Sequence, residues 1–505
     1  MSSCDIPFED ELLPYVSLFA DASELLFFDD ELPFDDVLSE ELSANFMNNT
    51  DNTIETPLVL NKKKMLILAV QHMFAMFGAT ILVPILVMGF FKDATGEELT
   101  SGLTVSVTLF CAGAGTLIFH LCTKLQVPAF LGSSFAFLGG FYTIANFNTG
   151  MYATMSVNDK AAYACGGVVV AGLVYLVMAA EIKLVGIAKV MRFLPPVVTG
   201  PMIVCIGLSL APVAISNSAV NWPLALAAIL TVIVFNIWGR GMLKLIPILM
   251  GVVLLYIVAL ILDIAGFTNT DGSAIINYAS ISSASWVGLP PFQMCKFDLT
   301  AILVMAPIAA ATMMEHIGDM SAISATVGKN FIAKPGLNRT LLGDGLATAF
   351  AGFIGGPANT TYGENIGVLA MSKVYEPKVV RMAALLAIIL SVVPKFSAII
   401  STMPTAIIGG ISFILYGMIS AIGVRNIVEN KVDLSKSRNL IIAAVIFVSG
   451  LGFKDGLTFS VFGTSVTLTS LAIAAIAGIV LNAVLPGNKY VFDENVIENE
   501  IHHKA

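Results

Sequence analysis

Long apolar stretches alternate with short polar ones along the chain from residue 62 onward. Fourteen such stretches can be delimited, and most carry few charges. Helices of about 18–25 apolar residues are long enough to cross the hydrocarbon core of a bilayer. The pattern therefore predicts an all-α polytopic membrane protein with transmembrane segments at 65–90, 101–122, 127–145, 161–181, 186–214, 222–238, 244–266, 299–321, 341–354, 360–374, 379–400, 404–424, 438–453 and 463–486.

Two of these segments are interrupted by Gly, Pro, Ser and Thr. They contain Pro128–Gly140 and Pro357–Gly367, and they are the third members of the first and second sets of seven. Irregular backbone within a membrane is tolerated only where it lines a polar cavity or is buried in protein. Short, broken segments at corresponding places in two halves point to a binding site near the bilayer midplane.

The distribution of Lys and Arg fixes the predicted orientation. With residues 1–61 in the cytoplasm, twenty-one of the 26 Lys and Arg residues fall on the cytoplasmic side. Such a bias predicts fourteen spans with both termini inside. Seven spans per half place the halves in opposite orientations, which is typical of inverted-repeat transporters. The five basic residues predicted to lie outside are Lys92, Lys160, Lys296, Lys395 and Lys454.

Composition agrees with a membrane protein and excludes several other classes. The chain is 57% hydrophobic and 12% charged, and its mean hydropathy is +0.86. The sequence shows no GxxxxGK phosphate loop, no basic patch for nucleic acid, no nucleophile–base pair and no metal-ligand spacing among its six cysteines. We therefore expect neither an enzyme nor a metal or organic cofactor.

The first 61 residues differ from the rest of the chain. They contain fifteen Asp and Glu and no Lys, Arg or His, which accounts for the net charge of −9. We expect an acidic, disordered cytoplasmic leader over 1–61 and a cytoplasmic tail over 489–505. The leader lacks the basic start and continuous apolar core of a secretory signal.

Ionisable residues inside the predicted spans are candidates for function, since burying them in lipid is costly. Glu315, His316 and Asp319 lie in the eighth segment, and Glu315 and Asp319 share one helix face at a spacing of four. Glu364 lies in the interrupted tenth segment, and Asp344 lies between two glycines. We expect Glu315 and Glu364 to face water, share protons or bind a polar solute.

Structural explanations compete with these functional ones. Asp319 is also close to a predicted cytoplasmic end, where it could be solvated. Asp344 could cap or orient a neighbouring helix, and His316 could be a hydrogen-bonded core residue. His72 and His120 are expected to have structural roles only.

The candidate residues suggest the class of solute. A carboxylate accepts hydrogen bonds from ring N–H groups, and free backbone N–H groups donate to ring carbonyls. A neutral planar ring with alternating N–H and C=O groups matches this set, and Phe135 and Tyr362 could supply stacking surface. Carboxyl groups that exchange protons would also provide a route to proton coupling.

Five motifs give the chain a resemblance to a known family. They are Gln71–Thr80, Pro128–Phe137, Glu315–Gly318, Asn359–Val368 and Leu415–Gly417, and the likeness runs from about 62 to 488. Together they resemble the nucleobase–cation symporter family, also called nucleobase–ascorbate transporters, and most of all its bacterial uracil permeases.

The resemblance implies two inverted seven-span repeats divided into a core domain and a gate domain. The core would comprise 62–183 and 299–402 (spans 1–4 and 8–11), and the gate 184–298 and 403–488 (spans 5–7 and 12–14). Short extended strands in spans 3 and 10 would meet at the midplane. The family also implies uracil import with protons by alternating access, as a lipid-embedded homodimer in the plasma membrane, which in bacteria is the inner membrane.

The resemblance also implies roles for single residues. Glu315 and Glu364 match the substrate-binding carboxylates, and Phe135 and Gly363 match backbone amide contacts. Proton coupling would involve Glu315, Asp319 and His316. The residues that would line or close the site are Ala79, Tyr362 and Tyr416.

One departure keeps a second substrate class open. Uracil permeases often carry His where this chain has Asp319, and Asp there resembles purine-carrying members. Against that, xanthine and urate carriers usually have Gln at the position of Glu364. A xanthine or other purine symporter is therefore the alternative. An anion transporter or channel on a related fold is disfavoured because the predicted midplane is rich in carboxylates.

Overall fold

The computed structural model describes residues 62–148, 150–269, 272, 274–276, 278–453, 456–461 and 464–487. The leader 1–61 and the tail 489–505 lie outside the described residues, and so does Lys454. Expectations for these parts of the chain stay predictions.

The described residues are mostly helical. In the first half the helices are α1 Lys62–Thr95, α2 Val105–Cys122, α3 Leu138–Ala145, α4 Val157–Val185, α5 Ile187–Met191, α6 Pro196–Ser209, α7 Ala211–Ser218, α8 Trp222–Ile237, α9 Met242–Leu245 and α10 Pro247–Ile264. They continue as α11 Tyr278–Ser283, α12 Leu299–Met305, α13 Ala309–Val327, α14 Leu337–Phe353, α15 Gly363–Ser372, α16 Pro377–Ser391, α17 Pro394–Ser401, α18 Thr405–Glu429, α19 Ser437–Gly452 and α20 Ser470–Val484.

Four short strands accompany the helices. Strands β1 (Leu131–Ser133) and β2 (Asn359–Thr361) pair with each other across the two interrupted segments. Strands β3 (Leu457–Val461) and β4 (Thr464–Leu468) form a local antiparallel hairpin. These strands correct the predicted start of the last segment, because residues 464–468 are extended and helix α20 begins only at Ser470.

Seven helical stretches in the described part of the chain are long and apolar enough to cross a membrane. The pair α16 and α17, bent by 84°, would make an eighth. Each of the fourteen predicted segments contains at least one helix, but several are too short to count as spans by themselves. The total of fourteen spans stays a prediction.

Short polar side chains begin several of these helices. Thr104, Ser156, Asn221, Asp298 and Thr469 each precede a helix and accept a hydrogen bond from one of its first N–H groups. This is the usual way of satisfying N–H groups that have no partner within the helix. Gly328, at φ 73°, ends α13 in the left-handed conformation that favours glycine.

The helices pack in two groups. In the first group α14 packs against α4 and α2, and α16 packs against α2 and α1. In the second group α18 packs against α6, α7 and α8, and α19 packs against α6 and α20. Small residues permit the close approaches: a side chain at Gly172 would collide with α14, and one at Gly423 would collide with α6. Strands β1 and β2 lie within the first group.

Candidate functional site

The two interrupted segments meet at the β1–β2 pair. Leu131 is opposite Thr361, Gly132 is opposite Thr360 and Ser133 is opposite Asn359. The N–H of Ser134 donates to the carbonyl of Ala358 at 2.8 Å, and the N–H of Tyr362 donates to that of Phe130 at 3.0 Å. All residues of both strands are buried. Segments more than 200 positions apart in the sequence are therefore joined backbone to backbone.

Each strand leads directly into a helical N-terminus. After β1 comes a 3₁₀ turn, Phe135–Phe137, that continues into α3, and after β2 comes α15, which begins at Gly363. The first N–H groups of a helix have no partner within it and carry a partial positive charge. The strand pair thus places two sets of donor groups in one region.

Three carboxylates lie beside these N-termini. Glu364 is in the first turn of α15, and Glu315 and Asp319 lie on α13, which packs against β2 and α15. Glu315 lies within electrostatic range of the other two, and all three are half-buried. The space next to them is open, because a side chain added at Gly318 would meet nothing within 4 Å. Gly318 and Gly363 beside the carboxylates are exposed, and we call this open space the cleft.

Asp319 is held by the strand rather than left free. The hydroxyl of Thr361 donates to Oδ2 of Asp319 at 2.8 Å. This contact holds Asp319 beside the cleft. It argues against Asp319 being only a solvated residue at the end of a helix.

His316 faces away from the cleft into the protein. Its Nδ1 lies 3.1 Å from Oδ2 of Asp344 and 3.4 Å from Oγ1 of Thr361, and the side chains of His316 and Asp344 are both fully buried. Asp344, on α14, is therefore a direct neighbour of His316 on α13, and its role stays a prediction. The role of His316 in proton coupling stays a prediction.

Tyr362 ties the strands to α1. Its hydroxyl donates to the carbonyl of Ser133 at 2.9 Å and accepts a hydrogen bond from Thr80 at 3.2 Å. A side chain at Gly132 would collide with its ring, so glycine is needed there. Tyr362 is only 5% exposed, which leaves it little surface to offer a solute.

The remaining predicted site residues are more dispersed. Phe135 is half-buried at the start of the 3₁₀ turn, and Gly363 is exposed, with room for a side chain 3.8 Å from Oδ1 of Asp319. Ala79 is buried in α1 next to Thr80. Tyr416 is buried in α18, where its carbonyl accepts a hydrogen bond from Ser420. The roles of these residues in the site stay predictions.

Several supporting residues were missed from the sequence. The hydroxyl of Thr116 accepts the N–H of Leu131 at 2.9 Å, and the amide of Asn359 donates to the carbonyl of Cys111 at 3.1 Å. Thr361 was not singled out either. Asn359 and Thr361 lie within the motif Asn359–Val368, but neither the motif nor a lone polar residue such as Thr116 in an apolar stretch reveals a partner.

His72 and His120 make contacts of the structural kind expected of them. Nε2 of His120 lies 2.9 Å from the carbonyl of Ala129, just before β1. The amide of Asn365 donates to the carbonyl of His72 at 3.0 Å. Among the described residues, no group of three or more His, Cys, Asp or Glu could hold a metal ion.

Comparison with known proteins identifies the family of the chain. Residues 63–457 match the Xan_ur_permease family, described as a permease family. The chain belongs to this permease family. It is an integral membrane protein of a family of transporters, not of enzymes.

Curated relatives of this permease align along most of their length. It is 39% identical to the uracil permease of Bacillus caldolyticus over 453 residues, which cover 87% of this chain and 96% of the relative. It is 38% identical to the uracil permease of Bacillus subtilis (strain 168), with 86% and 95% covered. It is 37% identical to the putative pyrimidine permease RutG of Escherichia coli (strain K12), with 83% and 89% covered.

Solved structures share the fold at low sequence identity. The transmembrane domain of the cyanobacterial bicarbonate transporter BicA superposes with a TM-score of 0.52 at 17% identity, covering 76% of this chain and 95% of that one. The murine anion transporter Slc26a9 in its inward-facing state gives 0.56 at 9% identity, covering 93% and 74%. The permease therefore has the general fold of these transporters.

Proposed function

We propose that this permease imports uracil together with protons, and that uracil binds beside the paired strands β1 and β2. The observation that carries the proposal is the position of Glu315 and Glu364, which border one open cleft at the N-terminus of α15. Relatives named uracil permeases, aligned along nearly their whole length, support the choice of substrate.

The hydrogen-bond donors and acceptors at the cleft match those of the uracil ring. Glu315 and Glu364 accept hydrogen bonds from ring N–H groups, while the backbone amides of Phe135 and Gly363 donate to ring carbonyls. Two helix N-termini also favour the partial negative charge on those carbonyls. Ala79, Tyr362 and Tyr416 complete the walls in this proposal, with Tyr362 acting mainly through the strands it holds.

Proton coupling follows from the crowding of carboxylates. Glu315, Asp319 and Glu364 repel one another when all are ionised, and binding a proton relieves that repulsion. We assign proton binding to Glu315 and Asp319, with His316 behind them. Protons are then the coupling ion, and no other cofactor is involved.

The proposed transport cycle needs two bodies that move past each other. We propose fourteen spans in two inverted repeats, with a core domain (62–183 and 299–402) rocking against a gate domain (184–298 and 403–488). The protein would be a homodimer in the plasma membrane, the inner membrane of a bacterium, with both termini in the cytoplasm. Alternating access would then expose the cleft to each side in turn.

Asp319 favours one alternative substrate class, xanthine or another purine, because purine-carrying members resemble the chain at that position. Uracil and xanthine share the N–H and C=O pattern of one ring, so the carboxylates alone do not separate them. The names of the relatives favour uracil, a pyrimidine, over a purine as the substrate.

The decisive experiment measures uptake of labelled uracil into proteoliposomes that contain the purified permease. We expect an inward proton gradient to drive accumulation and a protonophore to abolish it, with little competition from excess xanthine. Uptake that does not depend on the proton gradient would contradict proton coupling. Accumulation of labelled xanthine without any uracil uptake would move the permease to the purine class.

A further inference from the structure

Lys160 is a buried cation that the site as described does not use. It lies in the first turn of α4, and only 6% of its surface is exposed. Its ammonium donates to the carbonyl of Phe147 at 2.6 Å and to that of Ala145 at 3.2 Å. Ala145 is the last residue of α3. The ammonium thus lies at the C-terminal end of the helix that follows β1.

No carboxylate in the described part of the chain lies within salt-bridge distance of Lys160. The neighbouring Asp159 is bonded to Lys296 at 2.6 Å instead. The position is also unfavourable with respect to its own helix, because the N-terminus of α4 carries a partial positive charge. Burying an ammonium is costly unless its donors and its charge are satisfied. The compensating group is therefore the C-terminus of α3.

The end of α3 is completed by this lysine. The carbonyl of Tyr142 accepts from the backbone N–H and side-chain amide of Asn146, and that of Ile144 accepts from the N–H of Phe147. Among the described residues, Lys160 is the donor to the carbonyl of Ala145. A cation here also complements the partial negative charge of a helix C-terminus.

The 3₁₀ turn and α3 form one continuous rod, and its other end lies at the cleft. The 3₁₀ turn and α3 together span roughly 18 Å, and they begin at Phe135, next to β1. Close packing leaves α3 little room to bend: a side chain at Gly140 would collide with Met305, and the ring of Tyr142 packs edge-on against Phe90 at 5.4 Å. Moving the far end therefore moves the amides at the near end.

Helix α15 differs from α3 in the end at which a charged side chain lies. Its charged residue, Glu364, lies in its first turn. At its C-terminus Lys373 adopts the left-handed conformation, and its backbone N–H donates to the carbonyl of Leu369 at 3.0 Å. One broken segment thus carries its own charge at the cleft, whereas the other is met at its far end by the charge of Lys160 on α4.

We propose that Lys160 is a positioning residue for transport, which holds the far end of α3 so that the amide of Phe135 stays in place at the cleft. The proposal rests on the proposed function for the location of the substrate. Because the lysine acts on the geometry of binding, its loss lowers substrate affinity more than it lowers the maximal rate of transport.

The test compares three variants of the full chain in lipid nanodiscs and proteoliposomes. Lys160→Met keeps the aliphatic stem and removes the donors, Lys160→Arg keeps charge and donors, and Lys296→Met removes a nearby exposed lysine that bonds Asp159. We expect uracil to bind about tenfold more weakly to the Lys160→Met variant, with recovery in Lys160→Arg and less than a twofold change in the Lys296→Met control. The maximal uptake rate should change less than about twofold.

Hydrogen exchange provides a readout that needs no substrate. In Lys160→Met we expect amides of 135–147 to exchange about tenfold faster, while those of 363–372 do not change. Unchanged exchange at 135–147 would overturn the proposal. So would faster exchange throughout the protein with unaltered uracil affinity, since that pattern marks a purely structural residue. If Lys160→Met does not fold, Lys160→Gln, which keeps a neutral donor, carries the same two measurements.

The two proposals fail in distinguishable ways. A wild-type permease that binds no uracil contradicts the proposed function, and the exchange measurement still decides whether Lys160 holds α3. A wild type that binds uracil, beside a Lys160→Met variant that binds it equally well, contradicts only the role of Lys160.

Discussion

The two broken segments share a backbone plan but differ in chemistry. Residues 131–145 and 359–372 each consist of a three-residue strand followed by a helical N-terminus. The first contains no acidic or basic side chain, whereas the second carries Glu364 in the first turn of its helix. In this site one half supplies backbone donors only, and the other half supplies a carboxylate as well.

Their anchors differ in the same way. Strand β1 is held by the hydroxyl of Thr116, which contacts both the N–H and the carbonyl of Leu131. Strand β2 is held by Thr348, which donates to the carbonyl of Asn359 at 2.9 Å, and by the bond from Thr361 to Asp319. The first segment is therefore fixed by neutral groups around it, while the second is coupled directly to an ionisable residue of the cleft.

Removing the charge of the second segment should have the largest effect. We expect Glu364→Gln to reduce uracil uptake about a hundredfold or more, because a carboxylate that accepts from a ring N–H is replaced by a weaker neutral acceptor. Initial rates in proteoliposomes measure this. The matched control is Glu429→Gln, an exposed glutamate on α18 paired with Arg425 at 3.7 Å, which should transport normally. Wild-type rates for the Glu364→Gln variant would remove Glu364 from the site.

Uncoupling the second strand from Asp319 should have an intermediate effect. Thr361→Val keeps the shape and removes the donor to Asp319, so we expect a fall of roughly tenfold in uptake driven by the proton gradient. Thr360→Val is the internal control, since the hydroxyl of Thr360 is buried with no hydrogen-bond partner in the described structure. Equal losses in the two variants would mean that strand packing, not Asp319, is responsible.

Loosening the first strand should mainly affect stability. In Thr116→Val the buried N–H of Leu131 loses its acceptor, which should destabilise the folded state by about 1–3 kcal/mol. Thermal unfolding in detergent measures the shift. Thr143→Val in α3 is the comparison, because its hydroxyl only donates to the carbonyl of Gly139 within the same helix. A Thr116→Val variant as stable as the Thr143→Val variant would show that β1 is held by its strand pairing alone.

Local pattern sufficed for some of these features and not for others. Gly, Pro and Ser near Pro128 and Pro357 mark where the helices break, and the structure has β1 and β2 there. The carboxylates stood out because they are rare in apolar segments. Thr116 and Thr361 did not, since a threonine within a span is ordinary until its partner is known. Hydrophobic periodicity carries no information about such distant contacts.

Lys160 shows that the distribution of charges along the sequence is equally uninformative about distant contacts. Counting places it outside with Lys92, Lys296 and Lys395, as one of a few loop cations. In the structure each of these four has a specific partner: Glu98 for Lys92, Asp159 for Lys296, the carbonyl of Ile281 for Lys395 and the end of α3 for Lys160. Charge statistics describe how a chain is oriented, but they do not distinguish a solvated lysine from one that caps a helix.

The β1–β2 pairing also has a consequence for biosynthesis. Ser133 is made long before its partner Asn359, so the nascent chain carries an unpaired strand while the intervening helices enter the bilayer. Backbone groups left unpaired in lipid are unfavourable, and contacts between distant parts of a chain close late in folding. The β1–β2 pair and the proposed binding cleft beside it are therefore among the last parts of the permease to assemble. A chain truncated before Asn359 would expose an open strand edge for quality-control proteases and chaperones to recognise.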